Sequence, residues 1–311
     1  MFTKLVKIPL RVDFFKRCIT IATVCACVQL GTTTAFALDP ILHYAAEFAG
    51  TGQDSVEGLV VDASDNLYCA GFFSDTVDFD PGAGVNLVTS NGSNDISLTK
   101  FDPAGNLLWA ITLGGSGKDQ ALGVDLDGAG NVYITGAFQG TVDFDPGVGT
   151  DFRTSVGPGD LFVARFSPSG DLDWVSTVGG PSSEVVRGIA VDASGATYTV
   201  GYFSGTVDFD PGAAAQNRNS AGGDDVFLLK LDPMGAFAWV GRFGLGDYDS
   251  GEGVDLDAAG NVYITGSCRG SVDFDPGPGV ALLGSTSTRT GFVSRFNSNG
   301  ALVWVVGAGS S

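Results

Sequence analysis

The chain has 311 residues, of which 44% are hydrophobic and only 16% charged, and its 35 acidic against 16 basic residues give a formal net charge of −19. So large a negative excess repels phosphate backbones and excludes nucleic acid as a partner. One histidine and five cysteines leave too little material for a His-based zinc site or a Ser-His-Asp triad, so the chain reads as no enzyme.

Residues 1–37 follow rules of their own. Lys4, Lys7, Arg11, Lys16 and Arg17 make a basic start, Ile19 to Leu30 is an apolar run too short to span a bilayer, and Ala35-Phe36-Ala37 is a small-x-small cleavage signal. This predicts a signal peptide over 1–37, a mature domain over 38–311 without a membrane span, and a secreted or cell-surface location. The competing reading is lipoprotein processing at Cys27, after Val24-Cys25-Ala26. Cys18, Cys25 and Cys27 leave with the signal, and Cys69 and Cys268 stay at non-equivalent points of the pattern described next. Cys69 is expected as a buried free thiol; the competing reading is a bridge between the two, which needs the first and last units to meet in a ring and the demanding geometry of a disulfide.

From there the chain repeats every 65 residues. Val-Asp-Phe-Asp-Pro-Gly recurs with its first Asp at Asp78, Asp143, Asp208 and Asp273, an aromatic recurs at Tyr44, Trp109, Trp174, Trp239 and Trp304, and Tyr-x-x-Gly recurs at Tyr68, Tyr133, Tyr198 and Tyr263. Counted from the aromatic strand, the units are about 41–105, 106–170, 171–235 and 236–300, with a partial unit at 301–311. A fixed period of this kind marks one supersecondary unit used many times. In residues 106–170 the alternation of apolar residues predicts strands over Leu107–Leu113, 123–127, 131–136 and Leu161–Phe166, without a helical period. Pro103-Ala-Gly105, Pro168-Ser-Gly170 and Pro233-Met-Gly235 supply turn chemistry between units. Strands such as Val226–Leu229 are apolar on both faces, so each small sheet needs cover on two sides. Four-stranded sheets stacked around an axis meet that need, and the predicted fold is an all-β propeller.

The runs Gly-Val-Asp-Leu-Asp-x-Ala-Gly-Asn-Val-Tyr-Ile-Thr-Gly at 123–136 and 253–266, with Phe-Asp-Pro-Ala-Gly-Asn-Leu-Leu-Trp at 101–109, resemble the bacterial SBBP repeat and, more distantly, NHL repeats. The resemblance covers about residues 41–311. It implies a propeller in an exported bacterial protein, and it implies no activity and no catalytic residues. The count of strands departs from a closed ring: four copies of the three-strand set accompany five aromatic strands, the extra one being Ile41 to Phe48. An unpaired edge invites association, so further blades or a homo-oligomer are expected.

Chemistry is expected first in the Val-Asp-Phe-Asp-Pro-Gly segments. In an extended chain Asp78 and Asp80 share a face with Cα atoms about 7 Å apart, as do Asp143 and Asp145, Asp208 and Asp210, and Asp273 and Asp275. Such pairs could hold Ca²⁺. The competing reading makes the second Asp a cap of the Asp-Pro-Gly turn and pairs the first with the repeat cation Lys100, Arg165, Lys230 or Arg295. Asp62, Asp127, Asp192 and Asp257 are expected in Asx turns, and Asp54, Asp119, Glu184 and Asp249 form a second calcium candidate. A glycan ligand would have to stack on Phe73, Phe138 and Phe203, because the tryptophans sit among aliphatic residues and belong between blades. His43 is no part of the repeated design. Two functions follow: a non-enzymatic structural or binding module with a protein or glycan ligand, or a calcium-dependent carbohydrate-binding protein of the cell surface.

Overall fold

The computed structural model describes residues 49–284 and 289–308. The signal segment 1–37, the strand expected over Ile41–Phe48 and His43 lie outside the described residues.

Among the described residues there is no helix, and four antiparallel four-stranded sheets follow one another along the chain. The first consists of Asp54–Val61, Leu67–Phe73, Asp95–Phe101 and Leu107–Leu113, the second of Gln120–Leu126, Val132–Phe138, Asp160–Phe166 and Leu172–Val178. The third takes Glu184–Val191, Thr197–Phe203, Asp225–Leu231 and Phe237–Phe243, and the fourth Ser250–Leu256, Val262–Arg269, Arg289–Phe296 and Leu302–Ala308. Each is a meander whose strands pair in chain order. The predicted propeller-type repeat is therefore present, but its sheets are grouped in another phase than the units counted from the aromatic strand. That strand closes a sheet instead of opening one, since Trp109 pairs back on Lys100. A repeat length is the same from whatever residue it is counted, so periodicity alone cannot say which strands share hydrogen bonds.

Each sheet packs on the next, first strand beside first strand, whereas the fourth shares no comparable contact with the first among the described residues. Tyr68, Ala70, Leu98 and Ile111 of the first sheet meet Val132, Ile134, Ala164 and Phe166 of the second, and the pattern recurs at the next two junctions. Each large side chain buried there contributes about 1.5–3 kcal/mol relative to exposure. The tryptophans lie at these junctions as expected. Trp109 meets Tyr68 edge to face at 6.0 Å, and its indole N–H donates to the Pro168 carbonyl of the following sheet at 3.3 Å. Trp174 and Trp239 repeat the bond to Pro233 and Ser298 at 3.2 Å.

The Tyr-x-x-Gly glycine is required by close approach. A Cβ on Gly71, Gly136 or Gly201 would lie 1.9 Å from the carbonyl oxygen of Ser55, Gln120 or Val185 on the neighbouring strand. Beside each such contact one extra residue bulges from the first strand, as between Ala121 and Gly123. Cys69 and Cys268 are buried free thiols, and burial pushes them up to about 12 and about 11. They are inert at neutral pH.

Candidate functional site

The Val-Asp-Phe-Asp-Pro-Gly segments do not form plain loops. Each contributes the first strand of a short hairpin between the second and third strands of its sheet, Thr76–Asp78 with Leu87–Thr89, Thr141–Asp143 with Phe152–Thr154, Thr206–Asp208 with Asn217–Asn219, and Val272–Asp273 with Leu282–Leu283. Strand alternation turns Val77, Val142, Val207 and Val272 and the following phenylalanines into the core. Phe144, for example, lies 5.0 Å from Phe162 and 5.5 Å from Phe138. The aspartates consequently face away from the core.

There they cap backbone. Asp78 Oδ1 accepts the amides of Asp80 and Asn86 at 3.1 and 2.8 Å, closing the hairpin loop, while Asp80 Oδ1 accepts Gly82 N–H at 2.8 Å. Asp143 and Asp145, Asp208 and Asp210, and Asp273 and Asp275 repeat the arrangement. One oxygen of every carboxylate is committed to N–H donors, which repel a cation. Among the described residues no group of three or more acidic, cysteine or histidine side chains converges to hold a metal. The donor set fits turn capping better than calcium.

The repeat cation is not the partner of the first Asp. Lys100, Arg165, Lys230 and Arg295 lie over the rings of Tyr68, Tyr133, Tyr198 and Tyr263 at 4.7–5.9 Å. Pairing across the second and third strands, Tyr68 beside Lys100, sets that contact, and it is worth about 0.5–2 kcal/mol. The tyrosine hydroxyl in turn donates to the Asx-turn aspartate, as Tyr133 does to Asp127 at 3.1 Å. Asp127 also accepts the amides of Ala129 and Asn131 and the Asn131 side chain. Burial raises this carboxyl, and the four hydrogen bonds outweigh it and hold it below the usual range. Asp62 and Asp192 are lowered in the same way, and Asp257 is lowered chiefly by the amide and side chain of Asn261. Phe73, Phe138 and Phe203 are buried against Phe79, Phe144 and Phe209, so they offer no stacking face to a sugar. They end a strand whose next turn folds the hairpin back over them.

Sequence reasoning overlooked a second set of acids in the same 65-residue phase, Asp95, Asp160 and Asp225. Each meets an acid of the following sheet. Asp119 N–H donates to Asn94 O at 2.8 Å, Glu184 N–H to Gly159 O at 3.3 Å and Asp249 N–H to Asp224 O at 2.7 Å. This seats Asp95 by Asp119, Asp160 by Glu184 and Asp225 by Asp249, and all six acids are buried. The short acids are served by backbone: Asp119 accepts Gly115 and Gln139 N–H at 2.8 and 2.9 Å, Asp249 accepts Leu245 and Arg269 N–H at 3.1 and 2.8 Å. Glu184, one methylene longer, leaves both carboxylate oxygens without a hydrogen bond. Burial first, and then the neighbouring Asp160 charge, push it up to about 8, tempered by the nearby amides of Gly180 and Glu184 itself. Burial pushes Asp119 up to about 6. At the third junction Arg242 pairs with Asp225 and reaches the Gly244 carbonyl at 3.5 Å. Threonines, Thr112 and Thr177, occupy its position in the two preceding sheets.

Outside these junctions lie clefts between successive hairpins. One of about 410 Å³ is lined by Arg218, Arg242, Asp273 and Asp275, and its smaller counterpart of about 210 Å³ by Arg153, Thr177, Asp210 and Met234.

The chain is similar to an uncharacterized WD repeat-containing protein, L264, of Acanthamoeba polyphaga mimivirus, with 22% identity over 249 residues, 70% of this chain and 18% of that protein. It is also similar to the regulatory protein FlaEY of Caulobacter vibrioides, with 27% identity over 221 residues, 68% of this chain and 22% of that protein. WD repeats build blades of four-stranded sheets, as here. This is a repeat protein of the β-propeller type. No family model matches it, and the chain spans about a fifth of the length of these curated relatives.

Proposed function

We propose that this chain is an exported, non-enzymatic propeller module of the SBBP-repeat kind that binds a protein or glycan ligand in the clefts between its hairpins. The observation that carries the reading is equivalence. The acids at the four hairpins make the same backbone hydrogen bonds in every copy, and four equal positions provide no asymmetric acid–base pair for a single active site. What differs between copies is the cleft lining, where Arg218 and Arg242 face Asp273 and Asp275. Mixed charges of that kind suit polar partners. Names borne by the relatives, a WD-repeat protein and a regulatory protein, agree with a binding role.

A peptide and glycan array probed with the chain, and with Arg218→Ala and Asp275→Ala variants, tests it. Retained ligand that both variants lose supports the cleft; binding indifferent to both variants, or turnover of any probe, overturns it. Residues 1–37 fused to a reporter active only outside the cytoplasm test export, and a silent reporter removes that part of the reading.

A further inference from the structure

We propose that the larger cleft, between the third and fourth hairpins, binds a glycan that carries carboxylates, through the guanidinium of Arg218. This rests on the reading of the clefts as binding sites and names the ligand class for one of them. The comparison between two equivalent arginines carries it. Arg153 and Arg218 stand at the same place of the second and third hairpins, opposite Val142 and Val207. Each lines a cleft together with the second aspartate of the next hairpin, Arg153 with Asp210 and Arg218 with Asp275. Arg153 is neutralised within its own hairpin, where its Nε and Nη2 meet the two oxygens of Asp151 at 2.9 and 3.0 Å. One repeat later Gln216 replaces Asp151. Arg218 therefore forms no ion pair among the described residues, and its Nη1 donates to the Asn217 carbonyl at 3.0 Å. The guanidinium fork is left for a carboxylate, which it can hold by two parallel hydrogen bonds.

The rest of the lining says what carries that carboxylate. Asp273 and Asp275 belong to the same cleft, and their Oδ1 atoms hold the amides of their own loop. Oδ2 of each is left to accept hydroxyl groups. Two such acids repel a bare anion, and a phosphate dianion more than a carboxylate. A sugar acid joins the two chemistries in one ring, one carboxylate beside several hydroxyl donors. Leu245 and Leu282, 45% and 61% exposed, add apolar surface for the C–H face of that ring, and a volume of about 410 Å³ lies in the range of small-ligand sites. An acidic peptide would satisfy the arginine but brings few donors close enough together for two neighbouring acids. Arg242 stays on Asp225 and the Gly244 carbonyl, adding positive potential without a second free fork.

The test is calorimetric titration of the full chain with oligogalacturonate, oligomannuronate and hyaluronate fragments, each beside its carboxyl-reduced counterpart, and with a glutamate-rich peptide. At least one uronate should bind, and its reduced form should bind at least about tenfold more weakly. Arg218→Ala should lose the same factor. So should Gln216→Asp, which installs the acid native to the preceding hairpin, closes the ion pair on Arg218 and keeps the melting temperature. Arg187→Ala, which removes an equal charge from the pair with Glu252, should leave the isotherm unchanged. Uronate binding that survives Gln216→Asp, that ignores carboxyl reduction, or that falls equally in Arg187→Ala overturns the inference. Binding of the peptide or of reduced glycans alone, lost in Arg218→Ala, overturns the carboxylate and leaves the cleft as a binding site; no binding of any probe removes both.

Discussion

The third and fourth sheets are written in the same repeat, yet the same positions are sealed in one and open in the other. Leu228 of the third sheet is 0% exposed, while Val293, its equivalent in the fourth, is 37% exposed. Ile111 of the first sheet is 6% exposed, and Val306 at the same position of the fourth is 54% exposed. Trp239 donates to Ser298 of the following sheet, whereas Trp304 stands 37% exposed against Tyr263 of its own sheet. Burial in this architecture is conferred by the neighbouring sheet. The apolar residue supplies only the capacity to be buried.

That difference can be broken by truncating equivalent positions. Phe227→Ala, in a core shared with Phe203 and Phe209, is expected to cost about 3–5 kcal/mol in urea unfolding, and Ile111→Ala about 2–5 kcal/mol. Val306→Ala should stay within about 0.5 kcal/mol. Equal losses at 111 and 306 would show that the fourth sheet is covered in solution.

The acid junctions sharpen the comparison through pH. Glu184 ionises at about 8 in the folded chain against 4.5 in the reference state. Between those values the folded protein holds a proton that the unfolded chain has released, so stability falls as pH rises from 4.5 to 8 and is level above. The expected loss is a few kcal/mol. In Glu184→Gln the slope over this window should be largely removed, leaving a smaller fall between about 4 and 6 from Asp119. An undiminished slope would assign the effect to other groups.

Smaller effects separate the tyrosines. Tyr133→Phe deletes the hydroxyl bond to Asp127 inside a covered junction and should cost about 1 kcal/mol. Tyr263→Phe deletes the same bond to Asp257 on the open sheet, where water replaces it, and should cost less. Asp143→Asn, which keeps the acceptor oxygen used by Asp145 and Asp151, should alter stability by less than about 1 kcal/mol. A larger loss in urea unfolding would show that the charge, and not the acceptor oxygen alone, holds the hairpin loop.

Much of the fold was legible because its signals are local. Alternation located the strands at Leu107–Leu113 and Leu161–Phe166, and the Pro-x-Gly turns were correctly read, with Gly105, Gly170 and Gly235 at φ 84, 94 and 79°. The tryptophans were placed between sheets by their aliphatic company, and the Asx-turn aspartates by the glycine-rich residues beside them. The site was far less legible. Asp95, Asp160 and Asp225 recur in phase as plainly as the hairpin acids, but a recurring Asp at the start of an apolar strand announces nothing until its neighbour is known. Phe73 was offered as a stacking face for a sugar because the hairpin that covers it is built from a segment that looked like connection.

By itself, then, the sequence determined the period, the strand set, the turn chemistry and the in–out alternation of Val-Asp-Phe-Asp, since each rests on residues a few positions apart. Only the tertiary structure decided that the aromatic strand closes each sheet, that the repeat cations lie over tyrosines, and that acids from successive sheets meet in the dry space between them. Hydrogen bonding between strands and desolvation between sheets are contacts across distant stretches of chain, and their partners exist only once the sheets have stacked.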